Sequence, residues 1–217
     1  MINFKTISAI AVTAAVIAIV PMSNAEAALI TGVTASTDMG TFGFGYDIQN
    51  VVNGSGLDSL SLTATHADVS GANSWFSAAG ISTRTIDFNL NGQYSLQGFS
   101  VWNLFSTSIG IKGVNISTSL DGTNYQALSG APTQFGFNNN QKPEQFAFAS
   151  TLAQHVRFAV LSSYSPNFPA YGLSEVQFDG TSATTPTAVP TPALLPGLIG
   201  LGVAALRKRK AEANSEA

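Results

Sequence analysis

Apolar residues recur at every second position through several short runs of the central chain: Ile86-Asp-Phe88-Asn-Leu90, Phe99-Ser-Val101, Val114-Asn-Ile116, Val156-Arg-Phe158-Ala-Val160 and Val176-Gln-Phe178. Side chains two residues apart share one face of a strand, so this alternation predicts strands that each bury one face. Turn-forming residues separate the runs: Asn91-Gly92, Asp121-Gly122, Gly130 with Pro132, and Ser165-Pro166. No window shows the three- and four-residue spacing of an amphipathic helix. The pattern predicts an all-β fold, an antiparallel β-sandwich of the jelly-roll kind, over residues 28–180.

The two ends break this pattern. Lys5 precedes an apolar run from Ile7 to Val20, followed by Pro21 and the small-residue stretch Ala25-Glu26-Ala27. These are the three zones of a secretory signal peptide over residues 1–27, with Ala25 and Ala27 before the cleavage point. The run is shorter than the ~20 residues that span a bilayer. At the other end, a Thr/Pro linker over 181–188 leads into Val189-Pro190-Thr191-Pro192-Ala193. The apolar segment Leu194 to Leu206 follows, and then the cluster Arg207, Lys208, Arg209 and Lys210. A basic cluster directly after an apolar segment stays cytoplasmic, which places the domain across the membrane.

This tail, residues 189–217, resembles the bacterial PEP-CTERM sorting signal in its Pro-Thr-Pro-Ala variant. The resemblance implies a C-terminal apolar sorting helix and an exosortase-type processing protease as partner. It also implies an exported protein, transiently anchored in the membrane by its tail and destined for the cell surface or the extracellular matrix.

Composition and charge narrow the chemistry. Fourteen phenylalanines and 45% hydrophobic residues supply a core, although charged residues make up only 10%. Between residues 28 and 189 the bases are Arg84, Lys112, Lys142 and Arg157. They face nine acids: Asp38, Asp47, Asp58, Asp68, Asp87, Asp121, Glu144, Glu175 and Asp179. An acidic domain repels phosphate backbones, which argues against nucleic acid as a partner. The absence of cysteine excludes disulfides, thiolate metal sites and thiol nucleophiles. No Gly-x-Ser-x-Gly elbow, His-Glu-x-x-His pair or phosphate loop is present, and the two histidines of the chain, His66 and His155, read as a solvated loop residue and an edge residue. Catalysis is not expected.

Five landmarks fall in the order found in the discoidin, or coagulation-factor type C, group of galactose-binding-like jelly rolls. They are Asn53-Gly54-Ser55-Gly56-Leu57 leading to Trp75; Ile86 to Leu96 with Val101-Trp102-Asn103; Val114 to Tyr125 with its Ser119-Leu-Asp121-Gly122 hairpin; His155 to Phe158; and Gly172 to Phe178. The chain resembles that family over about residues 50–179. The resemblance implies a buried Trp75 and a structural Ca²⁺ held by the early loop and the last strand, mapped to Asn53, Asp58 and Glu175. It also implies ligand binding through aromatic and polar residues of the end loops, mapped to Phe76, Tyr164, Asn167, Phe168 and Tyr171. The expectation is a noncatalytic module that binds extracellular polysaccharide or matrix. The alternative is a structural envelope or matrix component with no small ligand.

Overall fold

The computed structural model describes residues 28–80, 83–105, 108–165 and 167–183. The expected signal peptide with Ala25 and Ala27, the motif Val189 to Ala193 and the cluster Arg207 to Lys210 lie outside the described residues. Eight strands form in chain order: β1 (Ala28–Leu29), β2 (Thr34–Thr37), β3 (Trp75–Phe76), β4 (Thr85–Asn103), β5 (Val114–Ser119), β6 (Gln126–Ala127), β7 (Glu144–Val160) and β8 (Gly172–Ser182). A 3₁₀ turn at Ile48–Val51 begins where Asp47 Oδ1 accepts the Gln49 N–H at 2.8 Å. All strand pairs are antiparallel, in the order β1-β8-β4-β7-β5-β6, with β2 on β4 and β3 on β8.

Two of the alternating runs, Ile86 to Leu90 and Phe99 to Val101, which the pattern separates at Asn91-Gly92, belong to one strand. β4 keeps β7 along one edge, while its other edge pairs first with β2 (Ile86–Asn89) and then with β8 (Tyr94–Asn103). The change of partner falls at a register shift between Asn89 and Tyr94, where Asn91 takes a φ of 58°. Asparagine tolerates this left-handed conformation, and glycine follows it. The ring of Phe88 in the first half of β4 lies 5.2 Å from Phe178, the register partner of Phe99 in the second half. The halves therefore face each other across a core, and the corner converts one ribbon into a two-layer sandwich.

Phenylalanine fills the space between the layers. Phe88 meets Phe158 at 4.9 Å, and Phe99 meets Phe146, Phe158 and Phe178 at 5.2, 5.5 and 6.1 Å. Each fully buried ring removes apolar area from water worth about 1.5–3 kcal/mol, and the tilted and edge-on geometries add to it. Trp75 and Trp102 are fully buried.

β8 departs from simple alternation. Every residue from Gly172 to Phe178 is buried, because the segment between Val52 and His66 covers the face turned away from the core. Ser100 Oγ donates to Leu62 O (2.7 Å), Trp102 Nε1 to Ala64 O (3.0 Å), and Gly54 N to the Glu175 carboxylate (3.1 and 3.2 Å). β8 also runs past the boundary expected at Gly180, since Thr181 and Ser182 pair with Ser95 and Tyr94.

Candidate functional site

With the β4 corner at one end of the sandwich, the loops before β3, after β4, before β7 and before β8 gather at the other. Gly80 N donates to Pro169 O (3.2 Å), Gly172 N to Ile109 O (2.9 Å), Tyr164 N to Gly110 O (3.2 Å) and Tyr164 Oη to Phe135 O (2.6 Å). Gly40 to Tyr46 stands at this end with Phe42 and Phe44 exposed. Gly43 and Gly45 adopt φ of 99° and 85°, and Phe44 between them is held at 54°. A Cβ at Gly71 would stand 2.2 Å from the Phe44 carbonyl oxygen, so glycine there lets the two backbones touch. Asn50, 8% exposed, ties them together: its Nδ2 lies 2.9, 3.1 and 3.0 Å from the carbonyls of Gly45, Gly71 and Ser74.

This scaffold carries an aromatic platform. Tyr46 stacks on Phe76 at 4.2 Å and 13°, and Phe42 lies 6.5 Å from Tyr46 and 6.3 Å from Phe44. Phe42 is 55% exposed and Phe44 89%, so Phe44 contributes almost nothing to the core. Sequence reasoning selected Phe76 and passed over Phe42, Phe44 and Tyr46. The run Gly40-Thr-Phe-Gly-Phe-Gly-Tyr was the available signal, because glycines on both sides of an aromatic prevent it from folding inward.

The remaining expected ligand residues divide. Asn167 and Phe168 are exposed, and Tyr164 is partly buried with its ring edge-on to Phe137 at 5.3 Å and Lys112 Nζ at 5.6 Å. Burial, then the Glu144 charge, raises the Tyr164 pKa. Phe137 is exposed beside a polar cleft of about 210 Å³ containing Asn139, Asn140 and Lys142. Tyr171 corrects the expectation of an exposed platform. It is only 5% exposed, because β8 starts at the next residue and Gly172 pairs with Phe76, drawing Tyr171 inward beneath Arg84.

No protein-family model matches the chain, and no curated protein matches it. Among solved structures, the family 32 carbohydrate-binding module of Clostridium perfringens NanJ, in complex with galactose, aligns with TM-score 0.51 and 10% identity. The alignment covers 71% of this chain and 99% of that one. A CBM32-1 module from a family 31 glycoside hydrolase of the same organism gives 0.50 and 11%, covering 69% and 95%. The fold is that of family 32 carbohydrate-binding modules. A family 89 glycoside hydrolase of C. perfringens gives 0.49 and 19% over 71% of this chain, which spans 15% of the length of that enzyme.

In this fold the expected cation ligands do not all converge. Glu175 is fully buried, and both its oxygens lean on the single Gly54 N–H; burial pushes its pKa up to about 8. Asn53 Oδ1 is occupied by the Ser55 N–H at 2.8 Å. Asp58 is exposed and turns to the Thr65 N–H at 3.1 Å, a bond that lowers its pKa and closes its own loop. Among the described residues, no three His, Asp or Glu side chains gather as a metal cluster. His66 also departs from expectation. It is 3% exposed, its Nδ1 donates to Ala67 O at 2.7 Å, its Nε2 has no partner among the described residues, and burial lowers its pKa. Gly56 makes this possible, since a Cβ there would lie 2.7 Å from the imidazole.

Glu175 sets a pH dependence. Its carboxyl titrates near 4.5 in the unfolded chain and near 8 in the folded one, so over that window the folded state holds a proton that the unfolded state releases. The contribution is full below 4.5 and is lost as pH rises through 8. His66 has the opposite sign and acts below 6.5. Thermal melts in chelator should therefore show wild-type stability falling between pH 6.5 and 8 relative to Glu175→Gln, whose amide cannot ionise. Parallel curves would mean that Glu175 is already charged when folded.

Proposed function

We propose that the domain is a noncatalytic glycan-binding module of an exported, exosortase-sorted protein, acting at the cell surface or in the extracellular matrix. The observation that carries this reading is the platform of Phe42, Phe44 and the Tyr46–Phe76 stack at the loop end, with Phe42 and Phe44 left exposed. Sugar rings present flat C–H faces that dock on aromatic planes, and nearby amides orient the hydroxyls. A structural neighbour with TM-score 0.51 is a carbohydrate-binding module solved with galactose, which supports the same ligand class. The signal peptide, the Pro-rich motif and the basic tail support the route out of the cell, with the membrane as a transit partner.

A structural Ca²⁺ at Glu175 belongs to the proposal. A cation would supply the positive charge that the fully buried Glu175 carboxyl lacks, and Ser55 Oγ, without a partner among the described residues, lies in the same covering loop. Glu175, with oxygens of the loop from Asn53 to Gly56, fits a hard cation. Asp58 does not belong to that set, because its carboxylate is engaged at Thr65.

On a glycan array the purified protein should bind reproducibly, and Phe44→Ala should weaken binding about tenfold with an unchanged melting temperature. Silence across the array would favour a structural matrix component instead. Calcium at about 100 times its Kd should stabilise the wild type by roughly 2.7 kcal/mol and leave Glu175→Gln unmoved; a wild type indifferent to calcium removes the cation site. Intact mass of protein recovered from the native surface and medium should lack the first 27 residues and the tail after the Pro-rich motif. A full-length tail retained in membranes would overturn the sorting route.

A further inference from the structure

A cleft away from the aromatic platform opens between the β1–β2 connection and the covering segment. It encloses about 310 Å³, near the lower bound of ligand pockets. Leu29, Val33, Val52 and Leu60 line it, each partly or largely exposed, and no charged side chain among the described residues joins them. Leu60 is 69% exposed and rests on Gly54, where a Cβ would lie 2.6 Å from Leu60 Cδ2, so glycine there sets the leucine at the lip. An occupant would take this aliphatic surface out of water.

The chain leaves the domain beside this cleft. Ala183 N donates to Gln93 O at 2.9 Å. Gln93 follows closely on Asn91, whose amide stands against Gly32 of the cleft wall: a Cβ on Gly32 would be 3.7 Å from Asn91 Nδ2. From Gly180 to Leu206 the sequence carries no charge. At the roughly 3.1 Å per residue of a proline-rich extended chain, the tether from Ala183 to Val189 reaches about 19 Å. The stretch Val189-Pro190-Thr191-Pro192-Ala193 matches the cleft in chemistry. Val189 and the two proline rings are apolar. Proline also has no N–H to leave unpaired on burial, and its fixed φ lowers the ordering cost.

We propose that this cleft is the dock of the chain's own segment 189–193, with Val189 and Pro190 against Leu60, Val33 and Val52. The contact closes over a short tether, so its effective concentration is high and a modest apolar surface suffices. Docking covers the backbone of the Pro-rich motif, and a processing protease reaches that backbone only after release. This last consequence rests on the exosortase-sorting reading; the dock itself does not.

The chain has no cysteine, so Ala193→Cys carries a single nitroxide label. Methyl spectra of the full chain in detergent micelles are compared before and after chemical reduction of that label. The expected result is loss of most of the Leu60, Val33 and Val52 methyl signal, with Leu161, at the loop end beyond β7, unaffected. Leu60→Asp, at an exposed position that leaves the core intact, should restore the Val33 and Val52 signals. Methyls of Leu60 and Val33 that never broaden overturn the dock. Broadening that persists in Leu60→Asp also overturns it, because the tether alone then accounts for the effect. Broadening that disappears when the labelled chain is diluted into unlabelled chain does the same, since the occupant is then a second copy. The dock and the sorting route fail separately. A tail removed in cells without methyl loss leaves sorting standing and the dock overturned, and methyl loss with a tail that is never removed leaves the dock standing alone.

Discussion

The fold depends on β4 serving two layers at once. A strand of 19 residues laid flat would expose the row of phenylalanines that it and its neighbours carry. Turning it at Asn91-Gly92 brings Phe88 against Phe158 and Phe178, and Phe99 against both of those rings. The corner costs one residue in the left-handed region, which asparagine and the following glycine lower, and it returns the burial of several rings. It also sorts the connections. The strands turn back at the corner, and the long loops collect at the opposite end, where they are free to diversify.

The covering segment from Val52 to His66 adds a second constraint. By packing on the outer face of β4 and β8 it buries a row of polar side chains that an ordinary sandwich would leave in water. Each must then find a partner in the loop, because an unpaired buried polar group costs more than a made bond returns. Ser100 and Trp102 succeed fully. Among the described residues, Glu175 is left with one donor for two oxygens, and Ser55 Oγ, His66 Nε2 and Gln177 Oε1 with none. These shortfalls fall under one loop, and the proposed cation site at Glu175 arises from one of them.

Much of the framework was readable before the structure. Ile86, Phe88, Leu90, Val156, Phe158 and Val160 alternate inward as their period implies, and the Asp121-Gly122 turn forms with Asp121 Oδ1 accepting the Thr123 and Asn124 N–H groups at 2.8 Å each. The readings that failed share a cause. His66 and Tyr171 sit in locally polar or loop-like sequence, and their burial is decided by segments distant in the chain: Tyr171 N donates to Ser77 Oγ across 94 positions. A local pattern carries no information about such a cover.

The direction of β8 relates the platform to the chain ends. Phe76 pairs with Gly172 at the start of this strand, while Ser182 at its end pairs with Tyr94, next to the corner. Ala28 pairs with Gly180, so the described chain both enters and leaves at the corner end. Ten residue steps at about 3.3 Å each place the platform roughly 33 Å from that exit. A domain held through residues beyond 183 would carry Phe42 and Phe44 on its far side, outward from the point of attachment. Strain at Phe44 makes the same case independently. A non-glycine residue at positive φ, 89% exposed, returns little packing energy for its conformation. Such a cost persists where the side chain has work to do at the surface.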